Sequence, residues 1–143
     1  MKTCFAILLV VLSLPGRGEA VEWDHDANLA GAVAAFVEAY NAGGLAQAEQ
    51  VAQACQQSLP AINDNIQRLM RFEFCSGLEF AGFLTNRRDM EDKGALSSEY
   101  FAAQQIGPRL DRLSEFITDP VAQSTVIRNW GRSVAGELDK KLR

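Results

Sequence analysis

The segment that most constrains the fold is a stretch near the middle of the chain that is apolar on nearly every side. Its apolar residues are Leu69, Met70, Phe72, Phe74, Cys75, Leu78, Phe80, Ala81, Phe83 and Leu84. At 3.6 residues per turn they are distributed almost all the way round a helical cylinder, which is typical of a helix buried on several sides. The small residues Ser76, Gly77, Ala81 and Gly82 provide places where neighbouring helices can approach closely. The rest of the chain must therefore supply elements that cover this helix.

Those elements are predicted to be helices as well. β-Branched residues are sparse, alternating strand patterns are absent, and Ala, Leu, Gln and Glu dominate. We therefore expect an all-α, single-domain bundle of about five helices around a buried central helix. The predicted helices run from Ala27 to Asn41, from Leu45 to Gln57, from Asn63 or Asp64 to Asn86, from Ser97 or Ser98 with a break at Gly107-Pro108, and from Asp119-Pro120 onward. Asp26 is the predicted cap of the first helix, Gly43-Gly44 its end, and Arg87 to Gly94 a charged loop or frayed helix end.

The first twenty residues have the pattern of a secretory signal peptide. Lys2 gives a positive start, the segment from Phe5 to Leu14 is almost wholly apolar, and Gly18-Glu19-Ala20 places small residues at a cleavage site. The apolar run is about half as long as the ~20 residues of a membrane-spanning helix. We expect cleavage after Ala20, export to the periplasm, and a single helical domain over residues 21–143.

Charge and cysteine content narrow the class further. The formal net charge of −4 argues against nucleic acid and anionic membranes as partners. Cys4 leaves with the signal peptide, and the remaining pair in an exported chain predicts a Cys55–Cys75 disulfide, with two buried free thiols as the alternative. A tight hairpin at Pro60 would keep these cysteines apart, so the bridge requires an extended loop from Gln56 to Asn63.

No metal, cofactor or catalytic motif is predicted. His25 is the only histidine, and its neighbours Asp24 and Asp26 are adjacent residues of a short N-terminal leader, which seldom converge on one ion. A Ser–His–Asp arrangement would depend on this one histidine in the leader, so the sequence does not favour it. We therefore assign His25 neither a metal nor a proton-transfer role.

Two carboxylates, Glu73 and Glu79, lie in the apolar helix and allow two interpretations. Buried carboxyl groups with raised pKa values are typical general acids. The spacing of six residues separates these two by some 120° around the helix, so they do not form one carboxylate pair. The alternative, which we favour, is that each emerges at a helix edge or pairs with an arginine such as Arg71 or Arg112.

Partly exposed aromatic residues of the central helix would form an apolar patch of the kind that binds other proteins. Phe72, Phe80 and Phe83 are the predicted partner-binding residues, although a core role is the alternative for each. The run from Cys75 to Gly82 resembles the Cys-plus-aromatic-plus-Gly helix of periplasmic immunity proteins against type VI secretion effectors. The disulfide-tied helical build is similar to that of periplasmic acid-stress chaperones. Both resemblances imply a non-enzymatic module that binds another envelope protein.

An enzyme is the alternative. Arginines recur in pairs at helical spacing, namely Arg68/Arg71, Arg87/Arg88, Arg109/Arg112 and Arg128/Arg132. Two arginines that project into a helical bundle can hold a dicarboxylate, and in size and class the chain resembles the secreted all-helical chorismate mutases. Such an enzyme needs a pocket where at least two arginines and a carboxylate converge, whereas solvated helix faces would present the same pairs to water. Oligomeric state is not predicted by the sequence.

Overall fold

The computed structural model describes residues 23–142, so the predicted signal peptide lies outside the described residues. The described part is all-α and contains no strand. Its four α-helices are α1 (His25–Ser58), α2 (Asn65–Lys93), α3 (Ala103–Leu110) and α4 (Pro120–Lys141), with short 3-10 helices at Leu59–Ala61 and Asp111–Glu115. The central helix is α2, which packs against both α1 and α4.

By continuous run the structure has four α-helices where five were expected, but the break predicted at Gly43-Gly44 is present inside α1, since both glycines leave helical geometry and divide α1 into two helical halves. Gly44 adopts φ +67°, a left-handed conformation that glycine reaches without steric cost, and helical geometry resumes at once. The expected cap was also displaced. Asp24, not Asp26, accepts a hydrogen bond from the backbone N–H of Ala27 at 3.0 Å, so the helix begins at His25.

The central helix begins as predicted and ends later than predicted. Asp64 caps it by accepting a hydrogen bond from the backbone N–H of Gln67 at 2.8 Å. Of the two alternatives predicted for residues 87 to 94, the charged loop is wrong and the helix end is correct, since α2 continues to Lys93 and ends at Gly94 with φ +72°. Ion pairs one turn apart, such as Arg87 with Glu91, help these charged turns to remain helical.

The segment after α2 also differs from the prediction. Ser97 and Ser98 do not cap a helix; Asn86 holds their backbone N–H groups, and α3 begins only at Ala103. Pro108 does not interrupt α3, which continues for two residues beyond it to Leu110. The proline removes only one backbone hydrogen bond, and it lies close to the end of the helix. Asp119 caps α4, with Pro120 as its first residue, as predicted.

The disulfide between Cys55 and Cys75 is confirmed, with a Cα–Cα distance of 5.5 Å. The predicted extended loop from Gln56 to Asn63 is not present, because α1 continues to Ser58 and a 3-10 helix follows. Cys75 lies about 15 Å along α2 from its start, at 1.5 Å per residue. The end of α1 therefore meets the middle of α2, and the short connection returns to the start of α2.

Small residues of α2 allow the close helix packing that the sequence predicted. A Cβ atom at Gly77 would lie 2.7 Å from the Cβ of Ala32 in α1. One at Gly82 would lie 2.2 Å from the ring of Phe101. Both glycines, with Ala81, are fully or almost fully buried. The α1–α2 contact and the seat of the Phe101 ring thus depend on the absence of side chains at these two positions.

One helix of the described part, α1 together with the 3-10 turn after it, has the length and mean hydropathy (1.2) of a membrane-spanning helix. Much of that hydropathy comes from alanine and valine. Nine residues of α1 are buried in the core, among them Leu29, Val33 and Phe36. A helix buried in the core of a protein can have the same length and mean hydropathy as a membrane-spanning helix.

Candidate functional site

A concave site of the described residues lies between the N-terminal end of α1, the start of α2 and α4. It is a mainly apolar pocket of about 470 Å³. Its lining residues are Trp23, His25, Asp26, Leu29, Leu69, Ile117, Val126, Asn129, Trp130 and Ser133. Both tryptophans of the chain are among them. We call this site the tryptophan pocket.

A buried carboxylate stands behind the rim of the tryptophan pocket. Glu73, in α2, is fully buried. Its Oε1 accepts hydrogen bonds from Trp23 Nε1 at 3.1 Å and from Asn28 Nδ2 at 2.8 Å, and its Oε2 lies 2.5 Å from Nδ1 of His25. Asn28 also donates to the backbone carbonyl of Met70 at 2.9 Å. These contacts fix the first turn of α1, and Trp23 two residues before it, against α2.

The contact with Glu73 orients the imidazole of His25. An ionised carboxylate only accepts hydrogen bonds, so Nδ1 of His25 carries the hydrogen. The second ring nitrogen, Nε2, remains for other contacts. The His25 side chain is 59% exposed, while that of Glu73 is 0% exposed. The site therefore combines a hidden anchor with an accessible polar group beside an apolar cavity.

The structure corrects two sequence-based expectations at this point. His25 is not in an isolated leader; it is the first residue of α1 and contacts a carboxylate 48 residues away. Glu73 neither emerges at a helix edge nor pairs with Arg71 or Arg112. The sequence signal was a carboxylate in an otherwise apolar helix, since such a group needs several donors once buried.

Glu79, the second buried carboxylate, belongs to a separate cluster. Arg109 binds it through two hydrogen bonds, at 2.9 and 2.7 Å, and Tyr100 donates its hydroxyl at 2.7 Å. The guanidinium of Arg109 also lies over the Tyr100 ring. Burial raises the pKa of Tyr100, and the hydrogen bond to Glu79 raises it further. All the groups are mutually satisfied, so the cluster joins α3 and the preceding loop to α2. An arginine partner was expected for Glu79, though not this one.

Among the described residues, the arginine pair Arg87/Arg88 meets carboxylates in a surface cleft. Arg87 and Arg88 share a cleft of about 280 Å³ with acidic residues, but each is already paired, Arg87 with Glu91 and Arg88 with Asp139. These side chains are about half or more exposed. Arg68 and Arg71 instead cover the rings of Phe116 and Phe74.

The predicted aromatic surface is only partly present. Phe72 is fully buried and packs between the rings of Phe116 and Trp130, so it forms the inner wall of the core and no surface. Phe80 and Phe83 are half-buried. Phe83 lines a shallow groove of about 180 Å³ together with Met90 and Leu96, both exposed. The site that the sequence missed, the tryptophan pocket, lies elsewhere.

Comparison with known proteins adds no relative: no family model, no curated protein and no solved structure matches the chain. Within residues 23–142 no group of three or more metal-ligating side chains comes together.

Proposed function

We propose that the protein is a non-enzymatic binding protein of the bacterial cell envelope and that the tryptophan pocket is its binding site. The observation that carries the proposal is the combination of a 470 Å³ apolar pocket with the His25–Glu73 contact at its rim. Ligand pockets typically occupy ~300–1,000 Å³ and carry a few polar groups that fix orientation in a mostly apolar lining.

The aromatic content of the tryptophan pocket favours recognition of another molecule. Trp130 is almost completely buried and Trp23 is held by its hydrogen bond to Glu73, so both rings are presented in fixed orientations. Rigid tryptophans are enriched among the residues that contribute most to binding energy, because little conformational entropy is lost when they are covered. A partner that inserts an apolar group here would displace water from a preformed cavity.

Placement in the envelope is supported by two features. The Cys55–Cys75 disulfide is compatible with an oxidising compartment, and the apolar N-terminal run is compatible with a signal peptide. An immunity-like or inhibitor-like protein would bind a single partner, whereas a chaperone-like protein would bind many unfolded clients.

The proposal is tested by affinity purification of the tagged protein from its own periplasm with a pocket variant and a matched control. Asn129 lines the tryptophan pocket on α4 and is exposed, so Asn129→Arg fills the opening at little cost in stability. Asn41, equally exposed on α1, lies outside that pocket and gives the control Asn41→Arg.

We expect the wild type and Asn41→Arg to capture the same protein or proteins, and Asn129→Arg to lose them. One captured species would favour the immunity-like form, and many would favour the chaperone-like form. Equal capture by both variants, with both folded, would show that binding takes place elsewhere on the molecule.

A further inference from the structure

We propose that the tryptophan pocket binds an apolar carboxylic acid whose carboxylate accepts a hydrogen bond from Nε2 of His25. The inference rests on the proposed function, because it names the chemistry of the ligand at the same site. It follows from the charge behind the pocket, the apolar interior of the pocket, and the partly exposed imidazole of His25, which contacts the one and lines the other.

The charge behind the pocket is the buried carboxylate of Glu73. Its three side-chain donors come from Trp23, Asn28 and His25, and of these only His25 can carry a positive charge. Among the described residues, His25 is the one basic side chain in an ion pair with Glu73. A buried anion is strongly unfavourable without a cationic partner, and His25 is the side chain in contact with Glu73 that can provide one.

An imidazolium is a donor at both nitrogens and accepts at neither. Nδ1 donates to Glu73, and Nε2 is therefore left with an N–H group on a side chain that is more than half exposed. A carboxylate is the natural partner of such a group, because charge-assisted hydrogen bonds are about twice as strong as neutral ones. The first turn of α1, which carries His25, adds the partial positive charge of a helix N-terminus.

The interior of the pocket determines the rest of the ligand. Leu29 and Trp130, both almost fully buried, line it together with the half-buried Leu69. The ring of Trp23 stands 4.7 Å from that of His25, so an apolar surface adjoins the polar anchor. A hydrocarbon chain or ring that ends in one carboxylate matches this arrangement.

One lining residue opposes an anion. Asp26 lies next to His25 in the sequence, is exposed, and accepts a hydrogen bond from the hydroxyl of Ser133 at 3.1 Å. Arg132 and Lys140 line the adjoining groove with it, and so does Glu137, which pairs with Lys140. Removing the charge of Asp26 should therefore strengthen binding of a carboxylate and weaken binding of an amine, which separates the two ligand classes.

Intrinsic fluorescence gives a direct assay, because both tryptophans of the chain line the pocket. Octanoate, octylamine and octanol, which share one hydrocarbon chain, are titrated into the mature protein at neutral pH. We expect a saturable change with octanoate and an affinity for it at least about ten-fold higher than for octylamine or octanol.

Two variants and a control locate the interaction. His25→Gln keeps a donor toward Glu73 but cannot be charged, and should remove the preference for octanoate. Asp26→Asn should bind octanoate about two- to five-fold more tightly than the wild type. Asp92→Asn, the same change at an exposed position of α2 outside the pocket, should leave binding unchanged.

Equal or tighter binding of octylamine, or weaker octanoate binding in Asp26→Asn, would overturn the carboxylate assignment and leave the pocket as the binding site. Absence of a saturable response to all three probes would also overturn it. The partner-capture experiment with Asn129→Arg is independent of these probes, so failure of the ligand assignment and failure of the proposed function remain distinguishable.

Discussion

Replacement of Glu73 by glutamine should destabilise the fold measurably, although it changes one atom. The glutamine carbonyl oxygen can still accept from Trp23 and Asn28, but the charged contact with His25 becomes a neutral one. Breaking a fully buried ion pair costs about 3–5 kcal/mol. Here one member, His25, is 59% exposed and water replaces part of the interaction. The difference between a charge-assisted and a neutral hydrogen bond then gives an expected loss of about 1–2 kcal/mol.

For a domain of this size that loss corresponds to a decrease in Tm of about 4–8 °C, measured by circular dichroism at neutral pH. The matched control is Glu91→Gln, in which the exposed pair with Arg87 is lost at a cost under about 0.5 kcal/mol. A double-mutant cycle with His25→Gln should return a coupling free energy of about 1 kcal/mol. Equal Tm values for the two single variants, or strict additivity in the cycle, would refute the argument that Glu73 and His25 act as a pair.

Three further outcomes are expected. Gly82→Ala should destabilise the protein by about 1–3 kcal/mol, because the new methyl group meets the buried ring of Phe101 at 2.2 Å. Gly136→Ala, in open space on α4, should instead stabilise it by up to about 1 kcal/mol. Urea midpoints of the two variants that move in the same direction would contradict this. The exported protein should begin at Val21, and an intact mass that includes residues 1–20 would disprove the cleavage site. Reducing the disulfide should cost about 3 kcal/mol, and an unchanged urea midpoint under reductant would contradict that loop-entropy estimate.

Features determined by nearby residues could be predicted from the sequence. The caps Asp64 and Asp119 bond to backbone N–H groups two or three residues away, so the signal for each helix start is local. The buried character of α2 followed from its apolar residues, and the disulfide from the pair of cysteines that remains after the predicted signal peptide.

Features determined by residues far apart in the sequence could not be predicted from the sequence. The break at Gly43-Gly44 was predicted locally, but the way in which the two halves of α1 pack onto α2 depends on contacts between residues far apart in the sequence. The partner of Glu73 was missed for the same reason. His25 is 48 residues away, and only the docking of α1 on α2 makes it a neighbour. The tryptophan pocket likewise requires Trp23 and Trp130 to meet from opposite ends of the described chain.

The most direct test of the tryptophan pocket as the binding site is a ¹H–¹⁵N spectrum of the mature protein during titration with octanoate. The indole N–H signals of Trp23 and Trp130 can each be assigned with a single Trp→Phe variant. We expect both indole signals and the side-chain amide of Asn129 to shift in a saturable manner, while the backbone signals of Met90 and Leu96 stay in place. Shifts confined to Met90 and Leu96, with both indole signals unmoved, would contradict it.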